Sequence, residues 1–165
     1  MSPALDLGDL DLFTVGTEGP TGRRVFFLQC RGSGTLLTLK VEKQQVSVLA
    51  EYLGRLLKDL ERPGELPSVL EPVEPTEPHW VVGTLGVSYD DAMDRIVLVA
   101  EELVAEDEEG DVARFTITRE QASAFAIRAT LLVEAGRPPC PLCGLPLDPT
   151  GHQCPRTNGH RPPTT

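Results

Sequence analysis

Leu37-Thr38-Leu39-Lys40-Val41-Glu42-Lys43-Gln44-Gln45-Val46-Ser47 and Ala113-Arg114-Phe115-Thr116-Ile117-Thr118-Arg119-Glu120-Gln121-Ala122-Ser123 align at a constant offset of 76 residues, and both change hydrophobic period at the same place. Leu37, Leu39 and Val41, like Ala113, Phe115 and Ile117, are apolar at alternate positions, as in a strand with one buried face. After Glu42 and Thr118 the period lengthens. Val46, Leu49, Ala50, Leu53, Leu56 and Leu57 then fall on one side of a helix, and Ala122, Phe125, Ala126, Ala129, Leu132 and Val133 repeat that template. Thr118-x-x-Gln121 has the form of a capping box and Glu42-x-x-Gln45 a weaker version of it. A strand running into a helix, twice, with corresponding faces apolar, predicts an α+β fold with two packed helices.

Upstream of each strand lies a hairpin partner. Arg24 to Gln29 pairs towards Thr35 to Val41, and Arg95 to Glu102 towards Asp111 to Ile117. Further upstream, Phe13-Thr-Val-Gly16-Thr17-Glu-Gly19 and Val81-Val-Gly83-Thr84-Leu-Gly86 share V-G-T-x-G. Each half therefore reads β-β-β-α with an antiparallel sheet. The duplicated body spans residues 1–136, with halves at 9–62 and 79–136. Residues 63–78 join them, and their five prolines and four glutamates leave no periodic apolar face, so an extended spacer is expected. One sheet with one helix leaves apolar surface uncovered, so the halves should pack about a pseudo-twofold axis. A single irregular α+β sheet with chance internal similarity is the alternative.

The final segment, 137–165, has a different character. Cys140-Pro-Leu-Cys143-Gly, Gly151-His152-Gln-Cys154 and Asn158-Gly159-His160 give the spacing C-x2-C-x8-H-x-C-x5-H. A C-x2-C knuckle closed by a further thiolate and an imidazole suits tetrahedral Zn2+. Cys140, Cys143 and Cys154 are the expected thiolate ligands, and the fourth ligand is His152 or His160. His152 is preferred, because it stands two residues from Cys154 and an extended segment turns both side chains the same way. Such a closed ligand set leaves no vacancy for substrate and so points to a structural metal. An open catalytic zinc is the less favoured reading.

The whole chain carries a formal charge of −10, which weighs against nucleic acid or an anionic membrane as partner. The tail alone, with Arg137, Arg156 and Arg161 against Asp148, has the charge for nucleic-acid contact, yet it lacks aromatic residues for stacking. No apolar run is long enough to span a membrane and the N-terminus lacks signal-peptide character, so a cytoplasmic protein is expected. Clustered thiols with histidine partners suit a metal in a reducing compartment better than disulfides.

Other residues admit a chemical and a plain reading. Gly16-Thr-Glu-Gly19-Pro20-Thr-Gly22-Arg23-Arg24 could cradle a phosphate, but a turn-rich hairpin connection is the simpler account. His79 beside Trp80 reads as a packed strand start rather than a base, since no nucleophile with an orienting group stands near it in sequence. Asp90, Asp91 and Asp94 read as turn residues rather than a cation site. The acidic run from Glu101 to Asp111 reads as a solubilising tip, and Cys30 as a buried apolar side chain.

V-G-T-x-G at 15–19, Arg-x-Phe-x-Leu-Gln at 24–29 and the terminal C-P-x-C-G-x-P-x-D-P-x-G-H-x-C-P-R-x-N-G resemble an actinobacterial family of uncharacterised proteins, the DUF3090 type. The resemblance covers nearly the whole chain. It implies a bacterial cytoplasm and genes neighbouring those for a histidine-phosphatase-like and a kinase-like protein. It implies no activity. Its Gly-His-x-Cys element matches His152 and Cys154 here.

Two classes of function follow. The first is a zinc-containing binding or adaptor protein that serves a protein partner. The second is an enzyme or small-ligand sensor, for instance of a phosphorylated metabolite, using a cleft between the halves with Gly19, Arg23, Arg24 and His79.

Overall fold

The computed structural model describes residues 5–20, 22–60, 64–67 and 71–135. Among them the order is β1 (Leu5–Asp9), β2 (Leu12–Glu18), β3 (Val25–Gly32), β4 (Thr35–Val41), α1 (Lys43–Lys58), β5 (Trp80–Asp90), β6 (Arg95–Glu102), β7 (Val112–Ile117) and α2 (Arg119–Ala135). The strands form one mixed sheet in the order β1-β7-β6-β5-β4-β3-β2.

β2-β3-β4 and β5-β6-β7 are antiparallel meanders, as the hairpin patterns require. The wholly antiparallel sheet expected from sequence is not what forms. β4 pairs with β5, and β7 with β1, in parallel. The reason is topological: α1 carries the chain back along the sheet before β5 begins, and a strand entered from such a crossover runs parallel to the one before it. β1 is a further strand that the sequence pattern did not reveal. Leu7 is its one buried residue, and Gly8, at φ 64, interrupts its register.

β1 and β2 stand at opposite ends of the sheet order, yet only Leu10 and Asp11 separate them. Leu10 N–H donates to Thr116 O at 3.0 Å and Asp11 N–H to Arg31 O at 2.8 Å, so this corner touches both ends of the sheet and curls it round. Gly32 allows the close approach: a Cβ there would stand 2.6 Å from Leu7 O.

Inside the curl lies one core. Phe26, Leu28 and Cys30 of β3, Leu37, Leu39 and Val41 of β4, and Ile96, Leu98 and Ala100 of β6 meet Ala113, Phe115 and Ile117 of β7. Val46, Leu49, Ala50 and Leu53 of α1 and Ala122, Phe125, Ala129 and Val133 of α2 close it from the helix side. The apolar stripes read from sequence are thus the buried faces. The two helices pack against each other, as expected.

The cross-strand registers of the two halves correspond. Phe26, Leu28 and Cys30 oppose Val41, Leu39 and Leu37, while Ile96, Leu98 and Ala100 oppose Ile117, Phe115 and Ala113. In the outer strands Phe13 and Val15 oppose Cys30 and Leu28, while Leu85 and Val87 oppose Ala100 and Leu98. The V-G-T-x-G match does not fit this register. Val15 corresponds in pairing to Val87, not to Val82, so the two motifs occupy different strand positions. A bulge between Val82 and Thr84 places Gly83 where the chain is irregular, whereas Gly16 lies in a regular stretch.

The proline-rich connection is bound to the sheet rather than looped away from it. Thr14, Gln29 and Thr38, the buried polar residues of the described chain, form a row across β2, β3 and β4. Gln29 answers the connection: Val73 N–H donates to its Oε1 at 2.7 Å, and its Nε2 donates to Val73 O at 2.6 Å. A Cβ on Gly16 would meet Phe27 at 2.4 Å and Pro72 at 2.6 Å, so only glycine lets the connection lie this close.

Candidate functional site

Cys140, Cys143, His152, Cys154 and His160 lie outside the described residues. Among the described residues, no three or more His, Cys, Asp or Glu side chains are grouped to hold a metal ion.

The glycine- and arginine-rich stretch after β2 is a hairpin connection. Gly19 and Gly22 have φ of 97° and 89°, and Arg23 N–H donates to Pro20 O at 2.9 Å to close the turn. Arg23 is exposed. Arg24, Lys40 and Lys43 border a hollow of about 290 Å³ at the start of α1, with Gly22 and Glu42 on its wall.

His79 is elsewhere. Its Nδ1 accepts the Thr38 N–H at 3.1 Å and its own N–H donates to Thr38 O at 2.7 Å, so the residue pins the start of β5 against β4. Of the residues Gly19, Arg23, Arg24 and His79, Arg24 borders the hollow at the start of α1, Gly19 and Arg23 lie in the β2-β3 turn, and His79 sits at the parallel β4-β5 seam.

Several other titratable groups of the body are engaged in the fold. Cys30 is buried, and loss of solvation pushes its thiol far above the ordinary range, which makes it a poor nucleophile. Asp94 closes the β5-β6 turn at φ 50, accepting from Tyr89 Oη at 2.7 Å and from Arg119 at 2.9 Å. Tyr89 first, then Arg119, holds its carboxyl below the usual carboxylate value. Asp90 accepts the Met93 N–H in the same turn, so this pair of acids does turn work. Asp9 is held low chiefly by the Thr116 hydroxyl.

A second hollow of the described surface is not foreshadowed in the sequence. It is a groove of about 610 Å³ between the first half of α1 and the β5 edge, lined by Gln45, Val48, Tyr52, Gly83, Leu85 and Val87 among others. β4 pairs with β5 only through Leu39-Trp80 and Lys40-Val81, and past that point the edge of β5 faces α1. Gln45 crosses the gap: its Oε1 accepts the Glu42 N–H at 2.8 Å, and its Nε2 donates to Val82 O at 3.2 Å. Gln121 does the same in the other half, accepting from Thr118 N–H at 2.9 Å and donating to Leu10 O at 2.7 Å. The sequence showed these glutamines as helix caps. Their reach to a strand edge was hidden, although their shared offset was a signal of a shared task.

No helix among the described residues is long and apolar enough to cross a membrane. A family model described as a protein of unknown function (DUF3090) matches residues 6–154. No curated protein and no solved structure matches the chain.

Proposed function

The chain belongs to the DUF3090 family of proteins of unknown function, and from that premise we propose that it is a binding or adaptor protein carrying a structural zinc ion, with a protein as its partner. One observation carries the reading. Three groups of the body singled out for covalent or acid-base chemistry are engaged in the fold: Cys30 in the core, His79 with the Thr38 backbone, and Asp94 with Tyr89 and Arg119. The distinctive chemistry then belongs to the segment after residue 136. Cys140, Cys143 and Cys154 with His152, or with His160 in its place, would hold Zn2+ and order that segment beside the body. The expected setting is the bacterial cytoplasm, where such thiols stay reduced.

Two repeats of a β-β-β-α unit are part of the same proposal. Support comes from the matching registers and from Gln45 and Gln121, which make corresponding bonds at an offset of 76.

Elemental analysis of the purified full chain tests the metal. About one zinc per chain is expected, released when Cys143→Ser is introduced, with the near-ultraviolet and far-ultraviolet spectra of the body retained. Folded, metal-free protein whose clustered thiols all titrate freely would refute it.

A second reading, a sensor of a small phosphorylated ligand, is favoured by the convergence of Arg24, Lys40 and Lys43 on one hollow at a helix start. Its test is calorimetry with sugar phosphates and nucleotides. Binding lost in Lys40→Ala and Arg24→Ala would support it, and heat unaffected by either change would not.

A further inference from the structure

The two strand edges that face helices are not closed alike. By register, Phe13 and Val15 of β2 correspond to Leu85 and Val87 of β5, and Gln121 and Gln45 donate to the corresponding carbonyls of Leu10 and Val82. On β2 the seam beyond that point is sealed. Phe125 stacks on Phe13 with ring centroids 4.4 Å apart, and Arg128 Nε donates to Val15 O at 2.7 Å.

On β5 the seam is open. Tyr52, in α1 at the position of Arg128, is 48% exposed, and Val48, at the position of Ala124, is 56% exposed. β4 leaves β5 after the pair Lys40-Val81, and beyond it no described strand lies on the α1 side of β5. Val15 turns its carbonyl away from β3, so its counterpart Val87 turns N–H and C=O towards α1, and Leu85, two residues back, does the same. These groups have no partner among the described strands. Beside them lies the groove of about 610 Å³, walled by Val48, Leu49, Tyr52, Leu85 and Val87.

We propose that this groove takes one extended peptide of a protein partner, added to the sheet as a strand along the open edge of β5 from Gly83 to Val87. The proposal rests on the reading of the chain as a protein-binding adaptor, and names where it binds and what. Unpaired main-chain donors and acceptors recognise another main chain, and five extended residues span roughly 17 Å, the length of this edge. Every second side chain of the added strand falls on the same face as Leu85 and Val87, against Val48, Leu49 and Tyr52, and so must be apolar. The side chains between them share the exposed face of Thr84 and Gly86 and can be polar.

Charge completes the description of the partner. Glu42 borders the groove near Gly83, Asp90 and the exposed Asp91 follow at the far end of β5, and no Lys or Arg lines the groove. A peptide whose apolar residues are flanked by Lys or Arg complements this arrangement. A second copy of the chain does not. It would bring the same carboxylates, and its own α1, to the edge it had to pair with.

Selection from a display library of random octapeptides on the immobilised full chain tests it. Enriched sequences are expected to alternate apolar and polar residues and to carry Lys or Arg at their ends. The most enriched peptide, made synthetically, should shift the backbone amide resonances of residues 83–88 in the native chain. Its affinity should fall ~tenfold or more when its alternate amides are N-methylated, and as much for Val48→Arg, an exposed substitution whose circular dichroism should match the native chain. The N-methylated peptide needs no variant protein, so the result stands even if Val48→Arg folds poorly. No enrichment, enriched sequences without the alternation, shifts confined to other residues, or affinity unchanged by N-methylation would overturn the proposal. A partner protein held equally by the native chain and by folded Val48→Arg would overturn it too, while leaving the adaptor reading intact.

Discussion

Gln29 is buried without being part of the apolar core, and its side-chain amide bonds Val73 and Pro75 of the connection between the halves as well as the Thr38 hydroxyl. Gln29→Leu would keep the volume and strand the Val73 N–H and C=O, so it should cost about 1–3 kcal/mol in urea denaturation with an unchanged m-value. Nothing in the one-dimensional pattern marks Gln29 for this task, because the partner lies 44 residues away. Phe125 was legible as a core position, and its stacking on Phe13 follows from the close packing of α2 on β2. Phe125→Ala should cost about 3–5 kcal/mol and Leu49→Ala about 2–5 kcal/mol, the range for a large core side chain leaving a cavity. Asp94 offers a test of sign. Its folded carboxyl is held below the ordinary value by Tyr89 and Arg119, so its contribution to stability is present at neutral pH and is lost as pH falls through the folded value. A carboxyl-carbon titration by NMR should show a midpoint below the ordinary aspartate value, rising towards it in Tyr89→Phe.

α1 and α2 were readable as elements because their apolar faces recur on a 3.6-residue period and their starts carry glutamine at the third helical position. Thr118→Ala removes the hydroxyl that accepts the Gln121 N–H at 3.1 Å and should cost about 0.5–2 kcal/mol in thermal or urea unfolding. Gln121→Ala should cost more than Thr118→Ala, because it removes both the Thr118 N–H acceptor and the donor to Leu10 O. Unfolding curves that rank the two in the opposite order would contradict this double role. Strands were legible where they alternate, as in β4 and β7. β1 was not, since five residues with a single buried side chain and a left-handed glycine carry no period. The V-G-T-x-G match misled for a related reason: two small-residue motifs looked equivalent, and only the ladder of cross-strand pairs showed them five residues out of step.

At the scale of the whole molecule, two meanders and two helices enclose one core, and the corner at Leu10 and Asp11 joins the ends of the sheet. Leu10 N–H and Asp11 N–H are unavailable to any ligand there, so hydrogen exchange at both should be among the slower rates of the N-terminal segment, as expected for amides that open only with the sheet. From the amino-acid sequence alone came the α+β class, the strand-to-helix order, the faces that α1 and α2 bury, the capping glutamines and the spacing of the terminal cysteines and histidines. All of these are local. They depend on residues within one or two helical turns, or on side-chain chemistry, and local periodicity records them. Only the tertiary structure decided the parallel seams, the commitment of His79 and Gln29 to backbone partners, the placement of Arg24 beside Lys40 and Lys43, and the groove left open between α1 and β5. Each of these is a pairing between segments distant in the chain. Which edges meet is settled by the simultaneous burial of both meanders against both helices, and no single stretch of residues carries that information.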